Sequence, residues 1–371
     1  MPGRQTAPGR QTAIACTLMR GGTSKGPFFL ASDLPTSPGL RDRVLLALMG
    51  SPDLRQIDGI GGAEPLTSKV AIVSKSQRAG VDVDFLFAQV LIDKPLVDVS
   101  PNCGNMLAGV GPFAIDSGLV TASDPHTRVT IHMVNTGNLA VATVQTPGGE
   151  VRYDGDSAIA GVPGTAAAIQ IDFLDTAGSV CESLLPSGRA RDSVEGIEVT
   201  CVDNGMPVVV LAAQSLGKTG YEAPAELDAD REFKARLERL RLAAGSLMGL
   251  GDVSQKVVPK MVLIARPKAG GHVCTRSFIP HRCHAAIGVL GAVSVATACV
   301  MPGSVAAGVA TSASGSPCVL SVEHPSGEFT VTLEVSGAGD SFRVGRSGIL
   351  RTARALMRGQ VLVPRAVWDG S

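Results

Sequence analysis

Residues 19–26 read MRGGTSKG, a glycine-rich stretch with two cations and several free N–H groups that could hold an anion. A nucleotide-binding P-loop needs the pattern G-x-x-x-x-G-K-[ST], in which a glycine precedes the lysine and a hydroxyl residue follows it. Here Ser24 precedes Lys25 and Gly26 follows it, so the hydroxyl that would hold magnesium is on the wrong side. The stretch therefore predicts a turn that suits an anion of some kind and is not a P-loop.

The run NCGN places Cys103 directly before a long apolar segment. A cysteine at a helix N-terminus is stabilised as the thiolate and can exchange a proton near neutral pH. The alternative is a buried structural cysteine. Its neighbours Asn102, Gly104 and Asn105 are turn and cap residues, however, which favours a helix start over a core position. We predict that Cys103 takes part in chemistry.

Lys69 ends the segment DGIGGAEPLTSK, directly before the strand-like run VAIV. A lysine at the start of a strand can point into a cleft. A lysine amine is protonated at pH 7 unless its pKa is lowered by desolvation or by a nearby cation, here Arg20. Without further information a solvated surface lysine is the better interpretation, so the residue pattern makes Lys69 a candidate base and no more.

These side chains need elements to position them, and two apolar segments are the best candidates. Residues 105–119 and 285–300 are apolar on nearly every side, which predicts buried helices. The N-terminus of a buried helix binds anions, so two such helices facing each other could hold two carboxylates of one small molecule. Two further helices are predicted at 41–50 and 225–248, the second of them a solvated surface helix.

Strand-like runs fill much of both halves of the chain, separated by Gly, Pro, Asp or Asn. Each half therefore predicts strands around one central helix, in a strand-rich α/β or α+β protein. The polar stretch 186–196 is the predicted boundary. The predicted domains are 1–188, with its helix from Cys103, and 189–371, with its helix near 284–300.

The composition excludes several classes of protein. Lys plus Arg and Asp plus Glu are both 33, so the 371-residue chain lacks the basic excess typical of nucleic-acid binding. No run of about 18 apolar residues predicts a membrane span. Residues 1–13 repeat PGRQTA without an apolar core, which predicts a disordered tail and no secretion signal.

The eight cysteines form no CxxC pair, so we predict reduced thiols in a cytoplasmic protein, most of them buried. The run His281-Arg282-Cys283-His284 gathers His and Cys residues, but no second cluster with metal-site spacing supports it. The sequence therefore predicts no metal site.

Four long motifs in order together resemble the PrpF-like isomerases, which are similar in fold to diaminopimelate epimerase. The motifs span about residues 20–298 and read MRGGTSKG, IDGIGGAEPLTSKVAIV, NCGNMLAGVGPFAI and HRCHAAIGVLGAVSVATA. The resemblance implies two similar domains, each a mixed β-sheet wrapped around a central apolar helix, with the active site between them. It also implies a small-molecule substrate, no cofactor and a homodimer.

Within this family the chain looks most like the branch that acts on 4-oxalomesaconate in the 4,5-cleavage breakdown of gallate and protocatechuate. The segments that carry this likeness are MGSPDLRQIDGIGG, FIPHRCHAAIGVLGAVSVATACV and DNGMP. By that resemblance Lys69 matches the proton-abstracting lysine and Cys103 the cysteine at the helix start. The positions implied to line the substrate site are Arg20, Ser68, Gly104, Asn105, His281 and Arg282.

The sequence departs from the racemising epimerases, which pair one cysteine at each of two helix starts. The matching place in the second half is Ala285 or Cys283, and with Ala285 the second thiol is missing, which favours a lysine base. The predicted reaction moves a proton along an allylic or keto–enol system of a small tricarboxylate. The alternatives are an isomerase of methylaconitate or methylitaconate, and a non-catalytic protein that binds a tricarboxylate.

Overall fold

The computed structural model describes residues 11–313, 315, 317–337 and 341–371. Contacts divide the chain into two compact units. Unit 1 comprises the residues up to Ile171 together with Arg351–Ser371, and unit 2 comprises Asp172–Leu350. The boundary predicted after residue 188 gave the end of the chain to the second domain, whereas it belongs to unit 1 because the end of the last strand returns to pair with the first strand. The last 21 residues of the chain thereby join unit 1.

Unit 1 contains a mixed sheet and two α-helices. Its strands are β1 (Gln11–Gly21), β2 (Ser24–Leu30), β3 (Lys69–Lys75), β4 (Val83–Val90), β5 (Val97–Asp98), β6 (His126–Met133), β7 (Leu139–Gln145) and β8 (Ala168–Leu174), with the C-terminal part of β16 (Arg343–Pro364). The order is β16, β1, β2, β3, β4, β6, β7, β8. Strands β2–β3 and β4–β6 pair parallel, whereas β1–β2 and β3–β4 pair antiparallel. The helices are α1 (Pro38–Met49) and α2 (Gly104–Asp116).

Unit 2 repeats this pattern with a second set of parallel and antiparallel strands. Its strands are β9 (Asp192–Val194), β10 (Ile197–Asp203), β11 (Pro207–Ala212), β12 (Lys260–Ala265), β13 (Val273–Phe278), β14 (Cys318–His324), β15 (Gly327–Ser336) and the N-terminal part of β16. The order is β16, β15, β14, β13, β12, β11, β10, β9. The helices are α3 (Pro224–Ala229), α4 (Arg231–Leu247) and α5 (Val289–Val300).

Each unit has one apolar helix at its centre. Every residue of α2 from 106 to 114 is buried, and so is every residue of α5 from 291 to 298. Small residues allow this close packing: a Cβ at Gly109 would lie 2.6 Å from the Phe28 ring, and one at Gly111 would lie 2.8 Å from Val144. The prediction of two similar domains, each with strands around a central apolar helix, is confirmed.

The two hydroxyl residues inside α5 have partners from the DNGMP motif. Ser294 Oγ donates to the Met206 carbonyl and accepts from the backbone N–H of Asn204. The Asn204 side chain donates to Thr297 Oγ1 at 2.8 Å. Because buried polar groups are costly when unpaired, these bonds allow a helix with hydroxyl groups to lie inside the sheet.

The element boundaries differ from the predictions where local signals compete. The segment predicted as one helix over 225–248 is two helices, because the Asp230 side chain accepts from the Phe233 N–H at 2.9 Å and caps α4. Helix α5 begins at Val289 rather than 285. The end of the predicted tail, Gln11 onward, lies in β1, while residues 1–10 are outside the described range. Among the described residues, no helix combines the length and apolarity that a bilayer crossing requires.

Candidate active site

The MRGGTSKG stretch is the tip of a β-hairpin between β1 and β2. Gly22 takes φ +53°, and a Cβ at Gly21 would lie 2.5 Å from the Asn105 carbonyl oxygen. The Asn105 side chain donates to Thr23 Oγ1 at 2.9 Å. The glycines therefore let the hairpin tip pack on the first turn of α2. A P-loop runs from a strand into a helix, whereas this turn joins two antiparallel strands, which agrees with the exclusion made from the sequence.

Lys69 is the first residue of β3 and is only 9% exposed. Its Nζ donates to Gln89 Oε1 at 3.0 Å and to Cys103 Sγ at 3.6 Å. It also lies 5.0 Å from the centre of the Phe87 ring. Lys69 and Cys103, which are 34 positions apart in the sequence, are thus in direct contact. An amine and a thiol at this distance can both exchange protons with one small molecule.

Gln89 fixes the direction of the Lys69 amine. The Gln89 Nε2 donates to the Ser68 carbonyl at 2.8 Å and to the Pro65 carbonyl at 3.1 Å. Since the amide nitrogen is held by two carbonyls, the amide oxygen must face Lys69. The sequence motifs contained no signal for Gln89; it comes opposite Lys69 only through the register of β3 and β4.

Ser68 is completely buried directly behind Lys69. Its hydroxyl donates to the Val90 carbonyl at 2.8 Å and accepts from Gln56 Nε2 at 2.7 Å. This placement differs from the predicted substrate-lining role, because the hydroxyl already has a donor and an acceptor inside the protein. Ser68 therefore holds the backbone that carries Lys69.

Cys103 is the N-cap residue of α2 and is half-buried. Its carbonyl accepts the first bond of the helix, from the Leu107 N–H at 2.9 Å, and no side chain caps the helix. The N–H groups of Gly104 and Asn105 belong to the first turn and have no acceptor within the helix. The helix dipole adds about half a positive charge at this point. The site thus joins an amine, a thiol and anion-stabilising amides.

The Arg20 side chain is on the opposite face of β1 from the Lys69–Cys103 contact. Arg20 Nη1 donates to the carbonyls of Gly22 and Thr352 at 2.9 and 3.0 Å. Because side chains alternate along a strand, Arg20 is on the face of β1 opposite to Met19. The Met19 face is the one turned toward Lys69: Met19 pairs with Gly26, and a Cβ added at Gly26 would lie 1.8 Å from the Lys69 carbonyl oxygen. Burial, with a smaller contribution from Arg354, lowers the pKa of Arg20. Arg20 is therefore not part of the Lys69–Cys103 contact.

In unit 2, His281 and Arg282 are both exposed, and His281 lies beside helix α4. His281 Nδ1 lies 3.5 Å from Glu238 Oε2, with 58% of the His281 side chain exposed. Cys283 packs into the apolar cluster under α4, and burial raises its pKa to about 11.

The N-cap of α5 is Gly288. Neither Cys283 nor Ala285, the two positions considered from the sequence, occupies the place that Cys103 has in α2. Because residue 288 is a glycine, the start of α5 has no thiol equivalent to Cys103. The candidate site therefore has one helix-cap thiol, next to a lysine.

A cavity of about 630 Å³ in unit 2 is lined by residues at the ends of β11 and β12, and neither Lys69 nor Cys103 is among them. Of its lining residues, Lys218 is paired with Asp230 and the Tyr221 hydroxyl donates to the Arg266 carbonyl. The lysine of this cavity is thus already held by a carboxylate, whereas the Lys69 amine contacts a thiol and a neutral amide. The chemistry of the side chains favours Lys69 and Cys103 as the candidate site.

Comparison with solved structures defines the class of fold. A crystal structure titled methylitaconate-delta-isomerase has a TM-score of 0.84 and 34% identity to this chain, with 97% of both chains covered. A hydroxyproline epimerase from Agrobacterium vitis is similar at a TM-score of 0.50 and 14% identity, covering 95% of this chain and 93% of that one. The fold is that of the epimerase-like isomerases.

The sequence comparisons are more specific. The family model described as PrpF protein matches residues 11–364, so the chain belongs to the PrpF family. It is 62% identical to the (4E)-oxalomesaconate Delta-isomerase of Novosphingobium sp. (strain KA1), over 94% of this chain and 97% of that protein. It is 59% identical to the 4-oxalomesaconate tautomerase of Pseudomonas putida, over 97% of this chain and 99% of that protein.

Proposed function

We propose that this protein is a cofactor-independent isomerase that moves a proton along the conjugated system of 4-oxalomesaconate. The observation that carries the proposal is the 3.6 Å contact between Lys69 Nζ and Cys103 Sγ at the N-terminus of α2. The substrate assignment is supported by the names of the relatives at 62% and 59% identity.

In the proposed mechanism the neutral amine of Lys69 removes a proton from carbon next to the unsaturated carbonyl system. The electron pair spreads over the resulting dienolate, so the substrate's own carbonyl accepts it and the step needs no added electron sink. The N–H groups of Gly104 and Asn105 stabilise the developing negative charge; one such donor typically contributes about 3 kcal/mol. Cys103 returns a proton at the other end of the conjugated system, and the Lys69 ammonium restores the thiol.

The protein context of Lys69 suits this role. The amine is largely buried and its neighbours are the neutral Gln89 amide, the Phe87 ring and the Cys103 thiol. No carboxylate among the described residues lies within 4 Å of Lys69 Nζ. No carboxylate in that part of the chain therefore competes with an acidic substrate for the bonds of the amine.

The second candidate is isomerisation of methylitaconate, which the similarity to the structure titled methylitaconate-delta-isomerase favours. Both reactions use the same proton transfer and differ in the groups around the reacting carbons. Proton NMR in deuterated buffer with 4-oxalomesaconate, methylitaconate and methylaconitate in parallel tests the choice. We expect kcat/KM for 4-oxalomesaconate to exceed the others by about 10²-fold, as a mismatch of pocket groups typically gives. The substrate assignment fails if the wild type neither converts 4-oxalomesaconate nor exchanges its protons.

We also propose a homodimer located in the cytoplasm that acts on a small-molecule substrate, on the basis of the family resemblance. Light scattering behind size-exclusion chromatography tests the assembly. The dimer predicts twice the chain mass of 38.0 kDa, and a peak at the single-chain mass would contradict it.

Gln89→Glu is predicted to move the acid limb of the pH profile of kcat/KM to higher pH by about 1 unit. The new carboxylate would stabilise the Lys69 ammonium, so the base would be available only at higher pH. It would also lose the two bonds that Nε2 donates to the Ser68 and Pro65 carbonyls. A matched control is Gln145→Glu at the end of β7, for which the profile should not move. An unchanged acid limb in Gln89→Glu would show that Gln89 does not position the base.

A further inference from the structure

Three cations form a row across neighbouring strands of unit 1. Arg20 on β1 is directly opposite Lys25 on β2 and directly opposite Arg354 on β16. Directly opposed residues of antiparallel strands have side chains on the same face. The three side chains therefore share one face of these strands. Met19 and Gly26 are on the other face, which is turned toward α2 and Lys69.

The row lines a groove of about 280 Å³, which we call the cationic groove. Its other lining residues are Thr23, Ser24, Leu356 and the loop Gly161, Val162 and Pro163. Ser24 is directly opposite Gly21, so its side chain is on the reverse face of the hairpin, and Thr23 is the polar side chain at the tip of the groove. The groove is thus a formed concavity with charged and polar groups.

The three cations of the groove have no acidic partner among the described residues. In the described ranges, no Asp or Glu oxygen lies within 4 Å of a side-chain nitrogen of Arg20, Lys25 or Arg354. Like charges directly opposite each other destabilise a sheet. This repulsion affects Arg20: its pKa is lowered mainly by burial and, to a smaller extent, by the charge of Arg354. A bound anion would relieve it.

The Arg20 guanidinium is also held in place. Its Nη1 makes bonds of 2.9, 3.0 and 3.0 Å to the Gly22 carbonyl and to the carbonyl and hydroxyl of Thr352. A guanidinium has five N–H donors, so those of Nη2 and Nε remain for a ligand. A fixed planar fork of this kind matches a carboxylate or phosphate in two-point contact.

We propose that the cationic groove binds an oxyanion with at least two negative charges, of the phosphate or polycarboxylate type, at a site separate from Lys69 and Cys103. The anion would contact Lys25, Arg20 and Arg354 together. The tip of the same hairpin packs on the first turn of α2 through Thr23 and Asn105. Occupation of the groove therefore stabilises the hairpin that supports the candidate active site.

Isothermal titration of the full chain with inorganic phosphate and, separately, with citrate tests the proposal at constant ionic strength. The variant is Lys25→Gln/Arg354→Gln, and the matched control is Arg43→Gln/Lys94→Gln, two exposed cations of unit 1 with the same total charge change. We expect wild type and control to bind at least one probe, and the groove variant to bind it about 10- to 100-fold more weakly. The probe with the lower Kd identifies the anion as phosphate or polycarboxylate.

Enzyme kinetics with 4-oxalomesaconate separate the groove from the active site. We expect kcat and KM of the groove variant to match the wild type at low concentrations of both probes. Thermal melts of the variant without anion should show a folded protein. The proposal is overturned if the wild type binds neither probe, or if the control loses as much affinity as the groove variant. It is equally overturned if the groove variant raises KM, which would assign these cations to the substrate site.

Discussion

Lys69→Met is expected to abolish isomerisation and the exchange of substrate protons with solvent deuterium, with kcat lowered by about 10⁴-fold. The substitution removes the amine that lies 3.6 Å from Cys103 Sγ and 3.0 Å from Gln89 Oε1. Methionine keeps an unbranched chain of similar length, so its thioether can occupy the space beside the Phe87 ring. Proton NMR of the substrate in deuterated buffer measures both conversion and exchange.

Lys75→Met is the matched control, because Lys75 ends the same strand but is exposed and donates only to the Leu119 carbonyl among the described residues. We expect the control to keep wild-type kcat and KM. A general base typically contributes about 10²-fold or more to the rate. If Lys69→Met retained more than about a tenth of the activity, Lys69 would not be that base. Loss of catalysis with retained binding of the tricarboxylate would exclude a protein that serves only as a binding accessory.

Cys103→Ser is expected to lower kcat by about 10²- to 10³-fold while the substrate still exchanges protons with solvent. A hydroxyl is a far weaker acid than a thiol, so the return of the proton at the far end of the conjugated system should become limiting. Lys69 would still remove the first proton and give it back after exchange with solvent. Deuterium wash-in at the substrate carbon, compared with product formation, measures the two steps separately.

Cys181→Ser is a suitable control, since Cys181 is also half-buried but lies in unit 2. Its thiol pKa is raised to about 12 by burial and by Asp203, so it stays protonated at neutral pH. We expect no change in either rate. Equal loss of exchange and conversion in Cys103→Ser would assign proton abstraction, rather than proton return, to Cys103.

Local sequence was informative where a residue's immediate neighbours decide its structure. NCGN before an apolar run predicted a helix start at Cys103, and α2 begins at Gly104. The all-apolar composition of that segment predicted a buried helix, because no face of it could remain in water. The exclusion of a P-loop also followed from local order alone, since the hydroxyl residue precedes Lys25.

Long-range pairing was not accessible to the same reasoning. Residues 11–13, the end of the tail predicted from the repeated PGRQTA, are instead the first residues of β1, because β16 returns to pair with Gln11. The helix predicted over 225–248 divides at Asp230, whose side chain caps α4. The start of α5 was placed four residues early, since apolarity does not distinguish a helix from the chain that leads into it.

The amino-acid sequence by itself determined the types of group available: a lysine before a strand, a thiol before an apolar helix, and glycines that permit a hairpin to approach that helix. Only the tertiary structure decided which of them meet. Strand register brings Gln89 opposite Lys69, and packing of α2 inside the sheet brings Cys103 to the same amine. Strand alternation likewise turns Arg20 away from them toward Lys25 and Arg354. The physical reason is that proton transfer depends on distances of a few ångströms, which are set by contacts between residues far apart in the chain.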